Sequence, residues 1–486
     1  MVLAYAAYTK SDLWSLDVST AFLQGWTLDE VNTSGHQRQA CALILPDGCW
    51  ELLASLDKRF KQAAANPKEY CLVLNKSVYG LKDAPLLWCL RLFQTLRKNG
   101  LKQTAHDGCV WCKFDKSNRL ILLVSIHVDD TLLTGVTSAM HELHMILEKD
   151  FGTLKKEMNS FKHYGVHVSR GSNKHDVIVS QAEYIKTLKP IEIRRTRGDG
   201  RTIDTKANAS EVSDFRSLIS GIAWLGVTHP GAQAAASIYQ GYLPEPLVRH
   251  LQAANSFLTQ IQGQYRPVTF RADIDLANCK IAVVADSSLG NNTKYSQGGH
   301  LILLANKSQQ LCGSCTLLTG RSAKSKRVAN STMCAETLAL LGGIEEGILV
   351  QSWIHELLNP RLTALELTRV QPQQMSMMIG CTDCDDVHSV LVKPAAPAPT
   401  NKSMVLHLAA LREAKEIGTV SQWCWIADGD NPANPLTKLN SDGTLPLLPL
   451  TTLLEKSYWE PNGPYRYGPV MVQPTRTTGK YNRHRL

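Results

Sequence analysis

The sequence predicts an α+β multidomain protein, on three observations. Its 486 residues exceed what one hydrophobic core ordinarily organises. Short apolar, strand-like runs end in acids at Asp17, at Asp129-Asp130 and at Asp286. Other stretches carry apolar residues at helical spacing, as Phe215, Leu218, Ile219 and Ile222 do.

Ile121 to Val128 reads as a buried strand and Thr131 to Gly135 as its return, which puts Asp129 and Asp130 in a hairpin turn. Aspartate is common in turns, so the pair alone leaves an ordinary turn and a metal site equally open. Asp17 ends a second run within Ser15-Leu-Asp-Val-Ser-Thr-Ala-Phe-Leu-Gln-Gly25, so two strands can point three carboxylates at one spot. Such a cluster suits phosphoryl transfer with two metal ions roughly 4 Å apart, one activating the attacking oxygen and one stabilising the leaving oxygen. Carboxylate oxygens suit Mg2+, with Mn2+ as the second option.

The ordered blocks resemble the reverse transcriptase of copia-type retrotransposon Pol polyproteins. The segment Asp17 to Gly25 is similar to that family's first catalytic block, and Leu74 to Pro85 followed by Trp88 to its substrate-positioning block. Val128-Asp-Asp130 matches the metal-binding turn. Gly100, His106 to Trp111, Phe151 to Leu154, Tyr164 to Val168 and Ile178 to Tyr184 continue the likeness in order. The resemblance implies a reverse transcriptase palm, an antiparallel sheet with helices, and truncated fingers, because the first block lies 17 residues from Met1. It implies Asp17, Asp129 and Asp130 as catalytic, metal-binding acids, with Asp17 and Asp129 the direct ligands. Phe22 is implied as the bulky gate that crowds a ribose 2′-hydroxyl. Lys76, Tyr79, Gly80 and Lys82 are implied to line the nucleotide and template path, glycine allowing close backbone approach and lysines meeting phosphate.

Lys189 to Lys206, rich in Arg, Gly and Asp, reads as a surface linker. The helical stretch 210–225, the Thr228-His-Pro230 turn and a helix over Val248 to Ile261 resemble the family's helical thumb and connection. The apolar stripe by itself shows only packing.

A second acidic constellation resembles a ribonuclease H-like α/β domain. Asp286 ends the run from Ile281, Gly298 to Leu304 supplies an antiparallel neighbour, Glu336 lies on a helix over Ser331 to Leu341, and Asp383 ends a strand from Met378. A buried lone glutamate is costly unless paired or metal-bound. The resemblance implies that Asp286, Glu336 and Asp383 hold two magnesium ions for phosphodiester hydrolysis, with Asp385 and Asp386 competing for the third place. Ala427 to Lys438 is similar to the family's closing signature, but Asn434 stands where the family has aspartate. Asn434 offers an amide oxygen and no charge, so metal affinity and hydrolysis fall unless Asp428 or Asp430 substitutes. Arg321, Lys324, Lys326 and Arg327, ahead of the Glu336 helix, suit either the phosphates of a hybrid or a plain solvated loop. His127, Leu86-Leu87 and the segment 26–59 depart from the family pattern.

The expected organisation is a palm with partial fingers over 1–188, a linker and helical thumb or connection over 189–265, a ribonuclease H-like domain over 266–440, and a basic, weakly ordered tail over 441–486. The implied activity is RNA-directed DNA polymerisation with associated ribonuclease H. Its partners are an RNA template, a DNA primer, RNA–DNA hybrid and deoxynucleoside triphosphates. The alternative is a catalytically inactive remnant that at most binds RNA–DNA duplex nonspecifically.

Composition accommodates either. Lys plus Arg number 52 against 43 Asp plus Glu, a net charge of +9 that permits a nucleic-acid partner. The 13 cysteines are an odd total, and no signal-like start or long apolar run occurs, so a soluble chain acting inside the cell, in a cytoplasmic particle or the nucleus, is expected. Cys109/Cys112, Cys312/Cys315 and Cys381/Cys384 have zinc-like spacing, but the pairs lie far apart without paired histidines. Packing as small hydrophobes is favoured over a zinc-bearing nucleic-acid binder.

Overall fold

The computed structural model describes residues 1–33, 35, 39–193, 200–290, 295–307, 311–359, 362–393 and 401–473. The chain is mixed α/β and divides into two compact units, Leu13–Met158 and Met1–Asp12 with Asn159–Leu486.

The Leu13–Met158 unit is built on a six-stranded sheet in the order Lys102–Gln103, Val110–Phe114, Leu120–His127, Asp130–Gly135, Leu13–Asp17, Lys155–Met158. All its pairings are antiparallel. Alternate residues Trp14 and Leu16 point to one face, where the helices Ala84–Lys98 and Thr137–Phe151 bring Leu92, Leu96, Leu143 and Leu147 at four-residue spacing. Trp88, Trp111, Val124 and Met140 complete this core. Gly135 has φ +148°, and a Cβ there would run into the Ile121 carbonyl, so the strand can return this close only on glycine. Over 26–73 the chain forms short helices, Leu28–Thr33, Cys49–Leu56 and Lys61–Ala65, and a two-stranded pair, Ala42–Leu43 with Leu72–Val73.

The second unit contains a four-stranded antiparallel sheet, Val268–Phe270, Val177–Ser180, Val166–Arg170 and Ser160–His163 in that order. It also holds three helices, Ala209–Leu225, Pro230–Gln240 and Val248–Gln264; the first and third match the expected helical stretches, while the second, which starts at the Pro230 of the expected turn, was not anticipated. The first buries Phe215, Leu218, Ile219 and Ile222 and starts in a capping box: Asn208 Oδ1 accepts from the Glu211 amide at 3.0 Å, and Glu211 Oε2 from the Asn208 amide at 3.0 Å. Glu211 is also held bidentately by Arg201. An arginine of the expected linker thus meets a buried carboxylate rather than solvent or phosphate; residues 194–199 of that segment lie outside the described residues.

The third sheet runs Tyr458–Trp459, Gly313–Lys324, Gln297–Asn306, Cys279–Ser288, Met377–Thr382, Gln422–Trp425, Tyr465–Tyr467, Val470–Val472. Its central strand Cys279–Ser288 is antiparallel to Gln297–Asn306 and parallel to Met377–Thr382, and is buried along its whole length, as the unbroken apolar run Ile281 to Ala285 requires. The 27-residue helix Thr332–Leu358 packs on it closely, since Gly343 and Gly347 present no Cβ to Val283 and Met378.

The sequence expectation of a weakly ordered tail from 441 is corrected for its described part. Leu448–Lys456 is a helix burying Leu450, Leu453 and Leu454, and the strands that follow add to both edges of the third sheet. The leucine spacing outweighs the Pro and Thr content that suggested disorder. Residues 474–486, including Arg476 to Arg485, lie outside the described residues. Among those described, no helix is long and apolar enough to cross a membrane.

Candidate active sites

In the Leu13–Met158 unit, strands Leu120–His127 and Asp130–Gly135 are joined by Val128 and Asp129, with His127 paired to Asp130. Val128 adopts φ +57°, a strained conformation for a β-branched residue. The buried Trp88 indole N–H donates to its carbonyl at 2.5 Å. On the neighbouring strand Asp17 is the register partner of Asp130. The Asp17 carboxyl is raised above the ordinary carboxylate range by burial, then by Asp129 and Asp130, with Lys155 opposing. The three predicted acids therefore share one end of the sheet, without drawing together as tightly as a metal-suited group of the described residues. Phe22 stacks on Tyr79 with ring centroids 4.9 Å apart, and Ser77 Oγ donates to the Phe22 carbonyl at 2.8 Å, fastening the positioning block beside the first catalytic block. Lys76, Tyr79, Gly80 and Lys82 are exposed, Gly80 with φ +95°.

In the second unit, Asp286 stands near the end of its strand, Glu336 in the first turns of the long helix, and Asp383 directly after the Met377–Thr382 strand. Each offers a ligand atom within 4.8 Å of the others, the one group of three metal-suited side chains this tight among the described residues. The third acid of this group is Asp383; Asp385, at the start of the following helix Asp385–Val392, pairs instead with Arg466 of the strand Tyr465–Tyr467. Burial, then Asp383, pushes Asp286 up to about 7, and burial, then Asp286 and Asp383, pushes Glu336 up to about 8. Asp383 is raised as well, chiefly by burial. Glu336 Oε1 accepts from the Ser287 amide at 3.2 Å, while Oε2 is buried with no hydrogen-bond partner. An orphaned carboxylate oxygen facing two more acids is what a divalent cation satisfies, so these residues fit Mg2+.

The closing signature supplies the surroundings. Thr437 Oγ1 donates to Asp286 Oδ2. Asn431 Nδ2 donates to Asp383 Oδ2 at 3.0 Å and to the Ala285 carbonyl at 3.1 Å. Lys438 Nζ lies 3.5 Å from Asp286 Oδ1, 3.3 Å from Asp428 Oδ1 and 3.1 Å from Asn434 Oδ1. Burial pulls Lys438 down, but Asp286, Asp428 and Asp383 outweigh it and hold its ammonium above the ordinary lysine value. Of the two candidates to replace the missing aspartate, Asp428 faces this cluster through Lys438, and Asp430 is taken by Asn462 and the Gly463 amide. A cleft of about 730 Å³, lined in part by Asp428, Asn434, Lys438 and Gln264, opens beside it. Asn431, Thr437 and Lys438 lie within the Ala427–Lys438 block, and membership of that block is the only local signal their sequence positions carry.

Arg321, Lys326 and Arg327 are exposed and Lys324 half-buried; Arg327 donates to His407 Nε2 at 2.6 Å. Among the described residues no cysteine joins a metal-suited group: Cys312, Cys315 and Cys381 are buried, and Cys112 Sγ donates to the Lys102 carbonyl at 3.3 Å.

Residues 58–200 match the family described as reverse transcriptase (RNA-dependent DNA polymerase), a span that includes Asp129, Asp130, Lys76, Tyr79, Gly80 and Lys82 but neither Asp17 nor Phe22. The chain is 26% identical over 281 residues to the retrovirus-related Pol polyprotein from transposon TNT 1-94 of Nicotiana tabacum, covering 54% of this chain and 19% of that one. It is 23% identical over 272 residues to the Pol polyprotein from transposon RE1 of Arabidopsis thaliana, covering 54% and 17%. To a putative transposon Ty5-1 protein of Saccharomyces cerevisiae it is 24% identical over 312 residues, covering 60% of this chain and 89% of that one. A solved N-terminal ribonuclease H domain from Mycobacterium tuberculosis, fused to maltose binding protein, aligns at 14% identity and a TM-score of 0.21, covering 32% of this chain and 90% of that one. Over about half its length the chain is thus similar to retrotransposon Pol polyproteins, and its residues 58–200 match the reverse transcriptase family. It spans less than a fifth of the length of the two plant polyproteins, 19% and 17%.

Proposed function

We propose that the chain is an RNA-directed DNA polymerase with an associated ribonuclease H, of retrotransposon origin. The observation that carries this is the register pairing of Asp17 with Asp130, beside Asp129 in a tight turn, in a chain matched to the reverse transcriptase family. The palm with partial fingers, expected over 1–188, is read on the Leu13–Met158 unit, because strands 160–180 pair onward to Val268–Phe270 in the other unit; that unit carries the helical thumb or connection, expected over 189–265, and the ribonuclease H-like domain, expected over 266–440. Asp17, Asp129 and Asp130 hold the catalytic cations, Phe22 selects deoxynucleotides, and Lys76, Tyr79, Gly80 and Lys82 line the nucleotide and template path. In the polymerase a bond forms between the primer 3′-oxygen and the α-phosphorus of a deoxynucleoside triphosphate, and pyrophosphate leaves. In the hydrolase Asp286, Glu336 and Asp383 gather at the scissile phosphodiester of an RNA–DNA hybrid. Mg2+, or Mn2+ in its place, supplies Lewis-acid stabilisation of the attacking and leaving oxygens. Trp88 holds the turn, and Asn431 and Thr437 orient Asp383 and Asp286. Such substrates place the work inside the cell, in a cytoplasmic particle or the nucleus.

Primer extension on an RNA template in Mg2+, run beside Asp129→Ala/Asp130→Ala, tests the polymerase. Extension by the parent chain alone is expected; equal signal from both rejects it. The opposing reading, an inactive remnant that binds duplex nonspecifically, draws on Asn434, and duplex binding without extension or hybrid cleavage would favour it.

A further inference from the structure

Three oxygens surround the Lys438 ammonium: Asp286 Oδ1 at 3.5 Å, Asp428 Oδ1 at 3.3 Å and Asn434 Oδ1 at 3.1 Å. A magnesium ion bridging Asp286 and position 434 would lie about 2.1 Å from an oxygen of each. That volume is the one the ammonium holds, so ion and ammonium exclude one another. Charge acts in the same direction. Position 434 contributes none, and the acids on this side, Asp286 and the largely exposed Asp428, already share a cation between them. Around Glu336 and Asp383 the situation is the reverse. Their ligand atoms and that of Asp286 lie within 4.8 Å of one another, Glu336 Oε2 is buried without a partner, and the hydrogen bonds of Lys438 go to Asp286, Asp428 and Asn434 instead.

We infer that this centre takes a single divalent cation, on Asp286, Glu336 and Asp383, and that the Lys438 ammonium is a built-in substitute for a second ion. The inference rests on reading the trio as a metal-dependent hydrolase centre. Lys438 is a positioning residue here: it fixes Asp286 and supplies one positive charge where an ion would supply two. An ammonium has no open coordination position with which to acidify a water, so the substitution trades hydrolytic power for a permanently occupied site.

Counting bound Mn2+ on the full chain by the electron paramagnetic resonance signal of the free ion tests this. Differences between variants cancel ions held elsewhere. Asp286→Asn is expected to bind one ion fewer than the parent chain, and Asn434→Asp/Lys438→Met one ion more. Loss of two ions in Asp286→Asn overturns the single-cation inference and leaves the metal-centre reading standing. Loss of none overturns both. No gain in the double variant overturns the role given to Lys438. Circular dichroism establishes that each variant is folded, and should Asp286→Asn fail to fold, the double variant decides by its gain or lack of one.

Discussion

Glu336 and Asp286 are acids the fold keeps at a cost, and pH exposes it. Burial and neighbouring acids push them up to about 8 and about 7, against ordinary values of 4.5 and 3.8. When the folded pKa lies above the unfolded one, the native state binds more protons in between, so stability falls as pH rises from about 4 towards 8. For a carboxyl moved from 3.8 to about 7 the loss is on the order of 4 kcal/mol. In chelator, the parent chain should therefore lose stability between pH 5 and pH 8 relative to Asp286→Asn/Glu336→Gln, and Mg2+ at pH 8 should restore it. Urea midpoints measure this, and parallel profiles for the two chains would refute it. Trp88 acts at the same scale. Its N–H steadies the carbonyl of a valine in a left-handed conformation, and a buried hydrogen bond of this kind is worth about 1–3 kcal/mol when its partner is left unsatisfied. Trp88→Phe should cut single-nucleotide incorporation about tenfold in protein that circular dichroism shows to be folded. Val128→Gly in that background should recover part of the loss, because glycine adopts positive φ without strain.

The helix Ala209–Leu225 separates what local sequence reports from what it does not. Its apolar stripe and its start at Asn208 with Glu211 three residues on are written in adjacent residues, so both are readable. The salt bridge from Arg201 is not, because an Arg-rich segment reads as solvated until the chain folds a carboxylate against it. The same limit hid the end of the third sheet: Tyr458–Trp459 pairs with Gly313–Ser314, a partner no local pattern announces. The two contacts at Glu211 should differ in weight. Asn208→Ala removes a cap and should cost about 1 kcal/mol. Glu211→Ala also strands a largely buried guanidinium and should cost about 3–5 kcal/mol. Chemical denaturation gives both numbers, and equal losses would mean that the Arg201 pair contributes nothing beyond the cap.

Across the whole molecule, Asp17, Asp129, Asp130, Asp286 and Asp383 were readable because each sits at or near the end of an apolar run that a strand carries to one end of its sheet, and Glu336 because it is a lone acid among the small and apolar residues of a helix. Choosing Asp383 over Asp385 and Asp386 required the fold, since that depends on where the strand stops and the helix begins. Lys438 was unreadable as a site residue because its partners lie up to 152 positions away. Net charge was readable as a number, but its effect depends on which cations stay free. Arg321, Lys324, Lys326 and Arg327 are not equivalent in this respect. Arg327 already donates to His407, whose pKa is lowered by burial and then by Arg327 itself, so at neutral pH this imidazole is an uncharged acceptor. Binding of an RNA–DNA hybrid should weaken as salt rises, and each phosphate contact contributes about one to the slope of log affinity against log salt. Replacing Arg321, Lys324 and Lys326 with glutamine should therefore lower that slope by about three. Arg327→Gln alone should lower it by less than any one of the others, because its guanidinium is partly committed. Fluorescence anisotropy of a labelled hybrid across a salt series reads both effects, and a slope that the triple variant leaves unchanged would remove this basic segment, the end of the strand Gly313–Lys324 and the residues after it, from the nucleic-acid surface.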